Sequence, residues 1–285
     1  MTHPELSQKL LDEIHTVEGV ISIIYKDFDT DTIPFQFAPD YPMQAAGMAH
    51  IPVLLATLMR IDAGKMSLDD CVIVPDLWIT PAPGAFERGT MSYSIDELLS
   101  WMIIANEDTP ANVLIELMGL NYINGCCRRF GMKSTLLESY VGRTKIPSDS
   151  RKNITCAQDI LVFFENIYRN RGLSRWLCEY AGRLFLRQRG NGGFTRYICD
   201  DIDIGRKGGE SGIVSHEAGI FYLRYVDYFL AIFTSNADAT PRSQLDVLRM
   251  RGRVANLIYN YYLEREDAIH NLPYDPRGPY GGGRR

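Results

Sequence analysis

QAAGMAHIPVLLA, residues 44–56, is the stretch from which the rest of the chain falls into place. Small residues, Ala45 to Gly47, lead into the apolar run Ile51–Ala56, and the segment closes on Gly64. Apolar side chains at helical spacing with a glycine stop predict a helix over IPVLLATLMRIDAG. The same pattern recurs downstream. SIDELLSWMIIA precedes a polar break, and TPANVLIELMG follows it, with Thr109 placed as N-cap and Pro110 at the first helical position. TCAQDILVFFENIYRN and SRWLCEYAGRLFLRQ carry similar spacing, so residues 45–200 read as an all-helical block.

Outside that block the period changes. Leu6, Leu10, Leu11 and Ile14 predict an amphipathic helix over residues 3–17, and GVISIIYKDF and TIPFQFA, parted by DTD, predict a hairpin. IDIGRKGG, HEAGIFYLRY and YFLAIFTSN read as three further strands, the last two joined near Val226–Asp227. PRSQLDVLRMRGRVANLIYNYYLE reads as a long closing helix. The predicted fold class is α+β: a five-stranded antiparallel sheet flanked by its terminal helices, with an all-helical subdomain inserted. Residues 1–44 and 201–266 form the discontinuous α/β part, and the Pro/Gly-rich tail 267–285 is expected to be disordered. A cleft between two such layers is a usual place for a ligand.

Composition excludes several classes. The net charge is −5 with both signs interspersed, so there is no basic stripe for nucleic acid. No apolar run reaches the roughly twenty residues that span a bilayer, and MTHPELSQKLLDEIHTVEG is too polar for a secretory signal. The expectation is a cytoplasmic protein with no membrane partner. Cys71, Cys126, Cys127, Cys156, Cys178 and Cys199 form no CxxC pair and no zinc-site spacing, so they read as plain thiols. No metal or other cofactor is expected.

Four ordered segments resemble the class A β-lactamase and penicillin-recognising serine hydrolase family. AAGMAHIPVLLATLMRIDAGKMSLDD is similar to the family segment headed by Ala-Ser-x-x-Lys and ending Gly-Lys-x-Ser-Leu-Asp-Asp. MIIANEDTPANVLIELMG resembles the Ser-Asp-Asn segment with its following Thr-x-x-Asn. PSDSRKNIT resembles the end of the omega loop, and GRKGGESGIVSHEAGIFYL the Lys-Thr-Gly strand and its neighbour. The resemblance covers about residues 18–264. It implies a β-lactamase-like fold and acyl transfer chemistry: a serine hydroxyl at a helix start attacks the β-lactam carbonyl, a lysine one turn on helps deprotonate it, and an omega-loop glutamate activates water.

Each catalytic hydroxyl of that template is missing. Gly47 stands at the nucleophile position and His50 at the lysine position, so the motif reads GMAH. Ser-Asp-Asn becomes Asn106, Glu107 and Asp108, and Lys-Thr-Gly becomes Lys207, Gly208 and Gly209. Aligning Pro147 and Asp149 with the omega loop's end puts Ser139 at the glutamate position, with Glu138 one residue early. Motif positions Gly47, His50, Asn106, Glu107, Asp108, Lys207, Gly208 and Gly209 are expected to line the cleft. An ionic cluster is predicted among Glu107, Asp108, His50 and Lys207, because paired acids repel without a cation between them. Lys207 and Ser211 are the candidates for holding a ligand carboxylate, as that strand does in the family.

The reading is therefore a non-acylating pseudoenzyme or binding protein for a small carboxylate-bearing or peptide-like ligand. The alternative is a hydrolase with β-lactamase-like or rewired activity, using His50 or Glu138 as general base. His216 is expected to cross a strand junction rather than bind metal, and Tyr259, Tyr261 and Tyr262 read as packing.

Overall fold

Thr2 opens the first helix, α1 (His3–Ile14): its hydroxyl accepts from the Glu5 amide, and the Glu5 carboxylate accepts from the Thr2 amide at 2.7 Å. This computed structural model describes residues 1–75, 79, 91–142, 152–190, 193–236 and 238–270, with side chains through 265. Leu6, Leu10 and Ile14 recur on one face of α1 and are buried with residues of the closing helix α8 (Pro241–His270) on one side of a sheet.

That sheet has five antiparallel strands: β1 (Gly19–Asp27), β2 (Thr32–Phe37), β7 (Asp203–Ser211), β8 (Val214–Tyr222) and β9 (Asp227–Asn236), in the order β2-β1-β9-β8-β7. Pro34 has no N–H to give a ladder, and β2 lies at an edge where that is tolerated. The period of two sends β9 side chains to opposite cores. Tyr228, Leu230 and Ile232 join the core beneath α1 and α8, while Phe229, Ala231 and Phe233 join the helical core.

The helical part comprises α2 (His50–Asp62), α3 (Ile95–Ile104), α4 (Asp108–Met118), α5 (Leu120–Phe130), α6 (Ala157–Tyr168) and α7 (Arg175–Leu186). Every α2 residue from His50 to Leu58 is buried, which is why this helix is apolar nearly all round rather than striped. A 3₁₀ turn, Ala46–Ala49, leads into it and sets its first residues against β7. No helix among the described residues is long and apolar enough to cross a membrane.

The structure corrects several boundaries. Helix α1 ends at Ile14, where His15 caps it, not at residue 17. Two short two-stranded antiparallel sheets also lie in or at the edge of the block predicted as helical: β3 (Met43–Gln44) pairs with β6 (Ile154–Thr155), and β4 (Cys71–Val74) with β5 (Met91–Ser94). Strands this short leave no periodic signal. Thr109 is not the N-cap of α4. Glu107 takes that place without a side-chain cap, and Pro110 sits within the first turn, where its missing N–H costs nothing. Helix α8 continues to His270, past the predicted start of the tail, and residues 271–285 lie outside the described residues.

Candidate functional site

Where α3 ends, Asn106 adopts φ +63°, the left-handed conformation that asparagine tolerates better than most residues, and the Glu107 amide bonds back to the Trp101 carbonyl at 3.2 Å. The polar break is thus a helix C-cap followed at once by the start of α4. This turn presents the Asn106 Oδ1 to Lys207 Nζ, which donates to it and, at 3.3 Å, to the Gly208 carbonyl. Lys207 lies on β7 with no exposure at all. Burial pulls its amine down from the ordinary lysine value to about 7, and the Asp108 charge resists that fall.

Asp108, the first residue of α4, meets His50 Nε2 at 3.0 Å, with the proton's place set by the imidazole tautomer and protonation. His50 is wholly buried. Burial lowers its proton affinity first, and the neighbouring Lys207 adds to this, while Asp108 opposes both. Its Nδ1 lacks a hydrogen bond of normal geometry, although the nearby Met102 carbonyl weakly favours the protonated ring. Three of the four predicted cluster members, His50, Asp108 and Lys207, therefore join Asn106 in one compact polar group. Glu107 takes a backbone role, as the N-cap residue of α4.

The decisive geometry is at Gly47. A Cβ there would lie 2.8 Å from the Gly209 Cα, 3.0 Å from the Gly208 carbonyl oxygen and 3.0 Å from Asn106 Oδ1. Two of those three neighbours are backbone, which cannot swing aside. Gly209 is equally constrained, because a Cβ on it would run into the Gly47 backbone. Gly208, by contrast, would meet only the His216 carbonyl, at an ordinary contact distance of 3.6 Å. Ala46, just before Gly47, holds φ +46°, a strained value for a residue with a Cβ.

Beside this seam lies a cavity of about 300 Å³, lined among others by Gly47, Asn106, Asp108, Ser139, Lys152 and Ser211. Several expectations change here. His50 and Lys207 do not reach the cavity: both are 0% exposed and stand behind Asn106 and Asp108. Lys207 thus has no path to a ligand carboxylate, because the strand alternation aims it into the protein. Glu107, Gly208 and Gly209 are also absent from the lining. Ser139 is among the residues lining the cavity, and its neighbour Glu138 is not. Pro147 and Asp149, which anchored the omega-loop alignment, lie outside the described residues.

Sequence reading missed how the far wall is held. Asn112 exchanges two bonds with Val141, accepting from its amide at 2.7 Å and donating to its carbonyl at 3.0 Å. Asn124 does the same with Leu137, at 2.8 Å each way. Asn153 accepts from the amides of Glu138 and Ser139 and donates to the Ser139 carbonyl, while its own carbonyl accepts from Ala45 N at 2.8 Å. Asp159 accepts from the amides of Lys133, Ser134 and Thr135. Irregular backbone has no ladder to satisfy it, so buried amide and carboxylate side chains stand in. The Thr-x-x-Asn spacing was the one sequence signal for this, through Asn112.

His216 bonds through Nε2 to the Gln44 carbonyl at 2.8 Å and stacks on Phe233, a strand-crossing role rather than a ligand one.

The sequence profile described as the beta-lactamase enzyme family matches residues 5–262. The chain belongs to that family. Among solved structures, a beta-lactamase from Sphaerobacter thermophilus DSM 20745 is 20% identical, with a TM-score of 0.77 over 90% of this chain and 96% of its own. PBP-A is 18% identical, with a TM-score of 0.79 over 91% and 96%. An ancestral (GNCA) class A beta-lactamase is 16% identical, with a TM-score of 0.78 over 90% and 99%. Likenesses this remote carry the fold. No curated protein matches the sequence.

Proposed function

We propose that this beta-lactamase-family protein binds a small polar, peptide-like molecule without forming a covalent bond to it. The observation that carries the reading is the seam at Gly47. The position that would hold a nucleophile has neither a hydroxyl nor space for a Cβ, since the Gly209 Cα would lie 2.8 Å from it. Losing the nucleophile of a serine hydrolase costs on the order of a million-fold in turnover. The cavity beside it persists, walled by hydroxyl and amide groups that suit a peptide-like ligand.

A PBP-A variant is described as an acyl-enzyme complex with penicillin G, and residue 47 of the present chain has no hydroxyl with which to form such an ester. Incubation with penicillin G and a chromogenic cephalosporin, followed by intact mass measurement, is the test. Neither adduct nor turnover is expected. A stable mass shift would overturn the reading.

The 3.0 Å contact between His50 and Asp108 supports a second reading, a rewired hydrolase. Its base would act at the cavity face of Asp108, with His50 as the proton store behind it. Turnover lost in His50→Ala would favour this reading.

A further inference from the structure

One face of α7 is basic, partly aromatic and open. Residues 169–189 hold six arginines against one acid, Glu179, in a chain whose net charge is −5. The interspersed signs of the whole chain conceal this surplus, which is only one helix long. Helix periodicity of about 100° per residue places Arg175, Leu186, Glu179, Arg183, Trp176 and Arg187 within an arc of about 120°. All six are exposed, Trp176 at 49% and Leu186 at 44%. Helical rise sets those two apolar side chains about 15 Å apart along the axis. Gly182 lies between them at the edge of the arc, where a Cβ would meet nothing within 4 Å.

The opposite side of α7 does the packing: Phe185 lies against Phe164 of α6, with ring centroids 4.7 Å apart, and beside Gly205 of β7. The acids flanking the open face are few and engaged. Glu179 pairs with Arg175 at 2.8 Å. Asp96 of α3 accepts from the Tyr180 hydroxyl at 2.7 Å, Glu97 caps the start of α3, and Asp62 accepts from the Ser174 amide at 3.3 Å. Glu165 on α6 is held by Lys26 and Arg169. Among the described residues, Arg183, Arg187 and Arg189 make no ion pair. The internal stretches outside the described residues contain four basic and three acidic residues, so they bring no surplus of acid.

We propose that this face docks an acidic segment of a partner protein, its carboxylates reaching Arg183 and Arg187 and its apolar side chains covering Trp176 and Leu186. Arginine beside an exposed tryptophan is the composition of interface hot spots, and the guanidinium fork matches a carboxylate's two oxygens. The short reach of the charge favours a segment over an extended polyanion. Screening confines the basic surplus to about 8 Å at physiological salt. An acidic segment laid along α7 therefore meets mainly arginine, whereas a membrane plane or a nucleic acid backbone also meets the acidic remainder of the chain. None of these residues lines the cavity, so docking stands apart from the non-covalent reading above.

Three labelled twelve-residue peptides test the docking: each carries leucines ten positions apart, with glutamate, glutamine or lysine at four positions between them. Anisotropy titrations of the full chain are expected to show the glutamate peptide binding at least about tenfold tighter than either counterpart. Its affinity should fall about fivefold or more between about 50 mM and about 300 mM salt. The double variant R183E/R187E should lose about tenfold or more for the glutamate peptide and gain affinity for the lysine one. Trp176→Ala should lose at least about threefold. R242E/R249E makes the same change of net charge on α8, across the sheet, and should leave binding unchanged. Unchanged urea midpoints will show that these surface variants fold.

Equal binding of the glutamine peptide, no binding of the glutamate peptide, full affinity in R183E/R187E, or an equal loss in R242E/R249E would each overturn the proposal. So would tighter binding of phosphatidylserine vesicles or of a twelve-nucleotide RNA than of the glutamate peptide, since either names a different occupant for the face. A covalent β-lactam adduct would remove the non-acylating reading and leave the docking face standing.

Discussion

Gly47 and Gly209 are locked together backbone to backbone: a Cβ on Gly47 would lie 2.8 Å from the Gly209 Cα, and a Cβ on Gly209 would strike the Gly47 backbone. The absence of two side chains lets β7 close on the 3₁₀ turn. The 3₁₀ turn and β7 meet there as a packed seam.

Even the smallest side chain at that seam should therefore be felt. Gly47→Ala is expected to destabilise the protein by about 1–3 kcal/mol, as overpacking against backbone does. Gly208→Ala, one strand position from Gly209, adds a Cβ whose contact with the His216 carbonyl is an ordinary 3.6 Å, and should stay within about 0.5 kcal/mol. Urea midpoints for the two variants test the contrast, and equal midpoints would contradict the seam.

Lys207 predicts a pH response of the fold itself. An unfolded lysine holds its proton to about pH 10.4, whereas the buried amine releases it at about 7. Between those values the unfolded chain binds the extra proton, so stability climbs as pH rises from neutrality. Buried Cys127 and Cys156, with thiols pushed up to about 12 and about 11, act in the opposite sense in the alkaline range. The difference between wild type and Lys207→Met from about pH 7 to about pH 8.5 isolates the lysine. The variant should lose the rising slope and be the more stable protein at the acid end.

The buried histidines act on the other flank. His216 is pushed down to about 4 by burial, and His50 is also lowered. The unfolded chain takes up these protons first, so stability should fall as pH drops from about 6.5 toward the folded values. Thermal midpoints across that range, compared with His216→Gln, measure the His216 share.

The far wall depends on side chains replacing a backbone ladder. Asp159→Ala strips three amide donors, those of Lys133, Ser134 and Thr135, of their acceptor. Each buried donor left unpaired costs about 1–3 kcal/mol, so a loss of about 3 kcal/mol or more is expected. Hydrogen exchange should accelerate first at those amides. Exchange rates unchanged there would refute the clamp.

On the opposite side of the sheet, Glu217 lies 3.4 Å from Arg206 Nη1 and 3.6 Å from Arg251 Nη1, with Arg251 only 1% exposed. Glu217→Ala leaves a buried guanidinium without its carboxylate and should cost about 3–5 kcal/mol. Denaturant unfolding measures it, and a loss under about 1 kcal/mol would show that water reaches the arginine.

Periodicity and ordered motifs are local properties of the chain, so the element order, the two-part α+β architecture and the family were all legible in the residues. So were the names of the residues that now sit together, from Gly47 and His50 to Asp108 and Lys207. Thr109 was misjudged and β3 to β6 were missed, since a two- to four-residue strand exists only through its partner. Which cluster members face the cavity depended on packing between distant segments. The alternation of β7 and the full burial of α2 turn Lys207 and His50 inward. Whether a glycine tolerates a side chain depends likewise on what packs against it: a Cβ at Gly208 would make an ordinary 3.6 Å contact, and one at Gly47 would lie 2.8 Å from the Gly209 Cα.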